Sequence, residues 1–222
     1  MPRLDQRLKC VAQQIRCDVH ADIGSDHGHL LKALLMAGRI ERGIAIENKQ
    51  QPFLNSQRNL RGLPAQVRLA DGLAGLEPGE ADCLSICGMG GQSISQILSA
   101  AADRIPPVVI LQPNRSPETV RRWGQRQGYR LIDEQVTTGQ RAFVILRFQH
   151  QGPGDDPAYA GIDRDAAELF GPHLMRRREP HWVRRLEQEQ HYLSRLDRLG
   201  PDAAQRLKTL DRVLVELSNR QN

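Results

Sequence analysis

The run Asp22-Ile23-Gly24-Ser25-Asp26-His27-Gly28 places two carboxylates, a hydroxyl and an imidazole within one short stretch. An apolar run, Val19 to Ile23, leads into it, and Leu30, Leu31, Leu34 and Leu35 follow at helical spacing. Strand, tight turn and helix in that order put free backbone N–H groups under a ligand. Gly24 stands where the chain must turn sharply and come close to that ligand. The spacing is not the dinucleotide fingerprint G-x-G-x-x-G, because Asp26 occupies the place of the second glycine, the one that lies against a pyrophosphate. A carboxylate there repels a pyrophosphate and suits a cation. S-adenosylmethionine carries a sulfonium and an ammonium group and fits; a nucleotide-dependent oxidoreductase is disfavoured. The plainer alternative is a generic turn in which Asp26 caps the next helix.

Four more sites belong with this turn. Glu47 closes the run Gly43-Ile44-Ala45-Ile46, where an acid accepts hydrogen bonds from ribose hydroxyls. Asp71-Gly72-Leu73 follows a third strand and is either a cofactor-adenine contact or a simple turn. Cys87-Gly88-Met89-Gly90-Gly91 follows a fourth, and three glycines in four positions let another molecule approach the backbone. Leu111-Gln112-Pro113-Asn114 follows a fifth; its amides can read a base edge, or Asn114 can be a cap in a polar loop.

These sites need a frame that brings strand ends together. Strand patterns fall at 19–23, 43–47, 66–70, 81–87, 107–111, 129–136 and 141–149, with helical stretches between most of them. Alternation of this kind predicts an α/β fold with a parallel, doubly wound sheet. Thr137-Thr138-Gly139-Gln140 is too short for a helix, so the last two strands should form an antiparallel hairpin. Seven strands, mostly parallel and ending in that hairpin, are the plan of a Rossmann-like class I methyltransferase. Residues 3–16 read as an amphipathic helix with Leu4, Leu8, Val11, Ala12 and Ile15 on one side. Its Arg3, Arg7, Lys9 and Arg16 form either a solvated face or a basic lip beside the site.

The stretch 151–157, Gln-Gly-Pro-Gly-Asp-Asp-Pro, is a linker by composition. It predicts a ligand-binding domain over 1–157 and a helical appendage over 158–222. There, Phe170-Gly171-Pro172 breaks a helix, Arg176, Arg177 and Arg178 form a basic cluster, and two helices from His181 meet at Gly200-Pro201. Leu186, Leu193, Leu196 and Leu199 line the first, and Leu207, Leu210, Leu214 and Leu217 the second, at coiled-coil-like spacing.

At 222 residues the chain can bury a sizeable core. Its net charge of +5 favours an anionic partner without identifying one. Cys10, Cys17, Cys83 and Cys87 match no zinc spacing, so no metal is expected, and reduced thiols suit a cytoplasmic protein. There is no apolar run of membrane-spanning length.

Together, Asp22 to His27, Glu47, Asp71-Gly72-Leu73, Gly88-Met89-Gly90-Gly91, Leu111 to Asn114 and Phe170-Gly171-Pro172 resemble the bacterial tRNA (adenine-N1)-methyltransferases that modify position 22 of the D-arm, the TrmK family. The resemblance runs over nearly the whole chain in the same order. Two departures are Leu31-Lys32, where that family usually has a proline, and Asn48, where a small or apolar residue is usual. The resemblance implies methyl transfer from S-adenosylmethionine to adenine N1 of tRNA, an RNA-binding tail, and a monomer or weak dimer. It implies cofactor binding by Asp22, Gly24, Ser25, Asp26, His27, Glu47, Asn48, Asp71, Gly72 and Gly88. Asp26, Asn114 and Gln112 are then the catalytic residues, and Met89, Gly90, Gly91, Pro113 and Arg176 to Arg178 meet the substrate. Alternatives are a methyltransferase acting on another nucleic-acid adenine, and a cofactor-binding RNA-binding protein without turnover.

Overall fold

A computed structural model describes residues 4–138 and 142–219. The chain divides into two compact units, Met1–Asp155 and Asp156–Asn222.

The first unit is a seven-stranded sheet in the order β3-β2-β1-β4-β5-β7-β6. Its strands are β1 (Val19–Ile23), β2 (Arg42–Glu47), β3 (Ala65–Leu69), β4 (Cys83–Gly90), β5 (Val108–Arg115), β6 (Tyr129–Val136) and β7 (Val144–His150). The pairs from β3 across to β5 are parallel, and β7 runs antiparallel to both β5 and β6. The helices are α1 (Gln6–Gln14), α2 (His29–Met36), α3 (Gln50–Asn59), α4 (Gly91–Ala100) and α5 (Pro117–Arg126). The order of the strands reverses between β1 and β4, which opens a crevice at their C-terminal ends. Both strands are apolar and buried there, with Ala21, Ile23, Leu84 and Ile86 at most 2% exposed.

Two expected loops are strand instead. β4 continues to Gly90 and β5 to Arg115, paired across register shifts at Cys87/Met89 and Met89/Gly90. Glycine makes this possible, since Gly88 has φ +79°. Proline is tolerated on β5 because its pairing to β7 ends at Leu111, so the missing N–H of Pro113 breaks no bond on that side. Gly139 and Gln140 of the expected hairpin turn, and Arg141 at the start of the expected seventh strand, lie outside the described residues, as does Arg3. α1 is shorter than the expected 3–16. Asp5 caps it by accepting from the Leu8 N–H at 2.7 Å, and Ile15 is already extended.

The second unit holds α6 (Arg164–Phe170), α7 (Pro172–Arg177), α8 (Pro180–Ser194) and α9 (Pro201–Asn219). α8 ends at Ser194, so Leu196 and Leu199 lie in the connection and not on the helix, and Leu196 is 40% exposed. Leu186, Leu193, Leu210, Val213 and Leu217 are buried. α9 packs on α6 as well as α8, with Arg212 bonded to Asp163 at 2.9 Å, so the hairpin is part of a small helical bundle.

Candidate active site

The turn after β1 is built from left-handed backbone. Gly24 has φ +67°, and Asp26, His27 and Gly28 follow at +36°, +70° and +67°. Non-glycine residues occupy this region at a cost of about 1–2 kcal/mol each. The Gly24 N–H bonds to the Ile46 carbonyl at 2.8 Å, which fixes the turn beside the end of β2. Asp26 caps nothing: α2 begins without a side-chain cap bond. The Asp26 side chain is 81% exposed, and its carboxylate lies 3.4 Å from His27 Nε2. The capping reading of Asp26 therefore fails, and the carboxylate faces solvent at the cleft.

That cleft has a volume of about 610 Å³ and is lined by Asp22 from β1, Gly24, Ser25 and Asp26 from the turn, Cys87, Gly88 and Met89 from β4, and Asn114 from β5. A Cβ on Gly24 would lie 2.6 Å from Met89 Cε, so its two walls approach closely. Asp5, Arg7 and Leu8 of the N-terminal segment, His29 and Leu30 of α2, and Phe143 also line it.

Beneath the cleft runs a buried polar chain. Ser85 Oγ donates to Asp22 Oδ1 at 2.5 Å, and His20 Nε2 lies 2.8 Å from Ser85 Oγ. With the serine proton committed to Asp22, His20 must supply an Nε2–H, which leaves its Nδ1 with the lone pair. That Nδ1 is buried without a partner. Burial pushes the His20 imidazole down to about 3, so the ring is neutral. Burial also lifts the Asp22 carboxyl to about 6, against the opposing effects of the Ser85 hydroxyl and the Arg7 charge.

Glu47 is 5% exposed, and its Oε1 is buried with no hydrogen-bond partner. Burial raises its carboxyl above the ordinary range, and the charges of Asp22 and Asp26 add to this. An acceptor placed in this way at the end of β2 fits a ribose hydroxyl. Asn48 Nδ2 donates to Asp71 Oδ1 at 3.2 Å, tying the ends of β2 and β3 together. Asp71 and Gly72 line a separate cavity of about 490 Å³ with Leu73, Ile97 and Arg104. Three carboxylates, one of them with an orphan acceptor oxygen, suit a cation bearing a ribose. Glu47, Asp22 and Asp26 would hold S-adenosylmethionine.

On the other wall the amides are locked. Gln112 Oε1 accepts from Arg7 Nη1 at 2.7 Å and from the Gly88 N–H at 3.1 Å. Its Nε2 then donates to Asn114 Oδ1 at 3.2 Å, and Asn114 Nδ2 donates to the Gly88 carbonyl at 2.6 Å. Gln112 is 0% exposed, so it sits behind the cleft wall; only Asn114 reaches the surface expected of both amides. Gly90 and Gly91 start α4, and a Cβ on Gly91 would lie 2.1 Å from the Ser116 carbonyl oxygen. That glycine is required by packing. Pro113 pairs with Met89 on the strand and does not line the cleft. Sequence reasoning left Arg7 among several helix cations. It stands two residues after the Asp5 cap and four before the buried Val11, on the same face of α1, and that spacing was the available signal.

In the helical unit, Arg176 Nη2 donates to the Ala160 carbonyl at 2.7 Å and Nη1 to that of Ala158. The Arg176 guanidinium thus ties the start of the unit to α7. Arg178 ends α7 with φ +51°.

Comparison with known proteins agrees with this geometry. The family model described as TrmK, tRNA (adenine(22)-N(1))-methyltransferase, matches residues 20–219. The Bacillus subtilis tRNA (adenine(22)-N(1))-methyltransferase is 35% identical over 211 residues, covering 90% of this chain and 87% of that protein. The crystal structure of the B. subtilis M1A22 tRNA methyltransferase TrmK superposes with a TM-score of 0.84 at 32% identity, over 99% of both chains. A Streptococcus pneumoniae structure in complex with S-adenosyl-L-methionine superposes with a TM-score of 0.85 at 27% identity, over 96% of this chain and 100% of that one. The chain therefore belongs to the TrmK family of S-adenosylmethionine-dependent tRNA (adenine(22)-N(1))-methyltransferases.

Proposed function

We propose that methyl transfer to adenine N1 of tRNA takes place in the cleft between the Gly24–Gly28 turn and the Gly88 end of β4. The observation that carries this reading is Glu47 Oε1, a buried acceptor without a partner at the C-terminal end of β2, next to the residue that holds the Gly24 turn. A buried unpaired acceptor costs stability unless a ligand donates to it. When bound, S-adenosylmethionine supplies an electrophilic methyl group on a sulfonium.

The residues then divide the work. Asp22 and Glu47 hold the cofactor by charge and by accepting hydrogen bonds. Asp26 faces the cleft as an exposed carboxylate. Adenine N1 has its own lone pair, so no base is needed before attack. The methylated ring is cationic at first, and Asp26 stabilises that charge. Asn114, with its orientation fixed by Gln112 and Gly88, offers a defined acceptor to the adenine amino group. The glycine backbone around Gly88 lets a base extruded from its stack lie against the wall. Catalysis is alignment and electrostatics. The helical unit meets the tRNA through shape and phosphates.

Nucleosides from tRNA incubated with the protein and S-adenosylmethionine should contain 1-methyladenosine by mass spectrometry. N6-methyladenosine would overturn the target atom. Cofactor binding without methyl incorporation would leave a non-catalytic RNA-binding protein.

A further inference from the structure

The sulfurs of Cys17 and Cys83 and a ring nitrogen of His20 lie within 4.8 Å of one another, at the N-terminal side of the strand positions that line the cleft. His20 and Cys83 are adjacent on paired strands β1 and β4, and Cys17 lies in the connection between α1 and β1. Two thiols and an imidazole are the donor set of a soft or borderline divalent ion. A zinc ion at about 2.3 Å from sulfur and about 2.0–2.1 Å from nitrogen needs its donors roughly 3.5 Å apart. Closing this cluster therefore takes side-chain shifts of about an ångström.

A second observation points the same way. His20 Nδ1 is completely buried, carries the lone pair and has no partner. Its other nitrogen gives its proton to Ser85, which gives its own to Asp22. A hydroxyl or carboxylate behind the distal N–H is what fixes a metal-bound imidazole in one tautomer. Cys17 Sγ now donates weakly to the Val19 carbonyl at 3.5 Å. That carbonyl also accepts from the Asp82 N–H at 3.0 Å, so loss of the thiol proton leaves it satisfied.

We propose that Cys17, His20 and Cys83 form a zinc-class metal site connected through Ser85 to the buried carboxyl of Asp22. Binding releases two thiol protons to solvent and forms two sulfur–metal bonds and one nitrogen–metal bond. Two thiolates balance the charge of the divalent ion, so no net charge is buried. Cys17 is only half-buried, which gives the ion a way in and leaves the fourth position to water. The site is separate from the methyl-transfer cleft, and the proposal does not depend on the catalytic roles given above.

The test uses the full chain with Zn²⁺ and Co²⁺ as probes. After equilibration with zinc and dialysis against metal-free buffer, elemental analysis should find about one zinc per chain. Cobalt should give a thiolate charge-transfer band. Cys17→Ser and Cys83→Ser should abolish that band, and Cys10→Ser, outside the cluster, should keep it. Ser85→Ala should weaken zinc binding by about 10–100-fold, the usual effect of removing a partner behind a metal-bound histidine. Absence of stoichiometric zinc and of the cobalt band in the unaltered protein would overturn the site. So would a band of full intensity in the Cys17→Ser protein, which decides the matter even if Cys83→Ser fails to fold.

Discussion

At the scale of single residues, charge and backbone strain are concentrated in one turn. Asp26→Asn keeps the shape and tolerates a left-handed φ, so it isolates the charge. Turnover should fall on the order of a hundredfold, with little change in thermal midpoint, if Asp26 stabilises the cationic product ring. Unchanged turnover in single-turnover assays would remove it from the chemistry. Asp22 adds a pH dependence. Its carboxyl is raised from 3.8 to about 6 in the folded protein. A raised acid contributes stability that is fully present below its unfolded value and is lost as pH rises through the folded one. That loss should be about 3 kcal/mol between roughly pH 4 and 6, from 1.36 kcal/mol per unit. A cationic cofactor prefers the ionised acid, so its affinity should rise with pH through about 6. Calorimetry on Asp22→Asn should find both dependences flattened. The turn itself was legible in the sequence, because acid and glycine spacing alone exclude a pyrophosphate. The depth of Gln112 was not: an amide beside Asn114 looks alike from either side of a wall, and only the pairing of β4 with β5 decides which side it takes.

At the scale of elements, the sheet was legible because helix and strand periodicities differ and Gly/Pro punctuation separates them. β1 and β6 coincide with their expected limits, 19–23 and 129–136. The far ends of β4 and β5 were not legible, because glycine and proline there signal a turn locally while the two strands satisfy each other. α1 shows how an element positions a side chain at a distance. Val11 and Ile15 are buried in the core, which orients Arg7 toward Gln112. Arg7→Ala should free the Gln112 amide and so disorder Asn114. The expected result is a fall in kcat of roughly tenfold or more, with partial rescue by Arg7→Lys and little change in cofactor affinity. A change confined to KM for the cofactor would argue for a direct contact instead. α1 is held by the Asp5 cap, so Asp5→Ala should cost about 0.5–2 kcal/mol and lower turnover in the same direction.

At the scale of the molecule, net charge +5 is spread over both units, so anion binding has to be local. The arginines of the helical unit are not equivalent. Arg176 is engaged with two carbonyls, whereas Arg184 is exposed on α8. Arg184→Ala should lower the log–log salt slope of tRNA binding by roughly 0.7–0.9 if it meets a phosphate. Arg176→Ala should instead lower the thermal midpoint and leave that slope nearly unchanged. Filter binding over a salt series, beside melting curves, separates the two. The sequence shows three arginines in a row and cannot show which one the fold has already used.

The consecutive left-handed residues at Asp26, His27 and Gly28 also bear on how this protein would drift. A laboratory population selected for heat resistance alone, with no demand for methylation, would gain by relaxing that turn. Glycine at position 27 removes a cost of about 1–2 kcal/mol. Such a lineage should fix His27→Gly or His27→Asn early and become more robust as its chemistry decays. A parallel lineage that must methylate tRNA to grow should leave the Asp26 and His27 positions alone and find its heat resistance elsewhere. Sequencing both would show whether the tension in this turn is maintained by selection on activity.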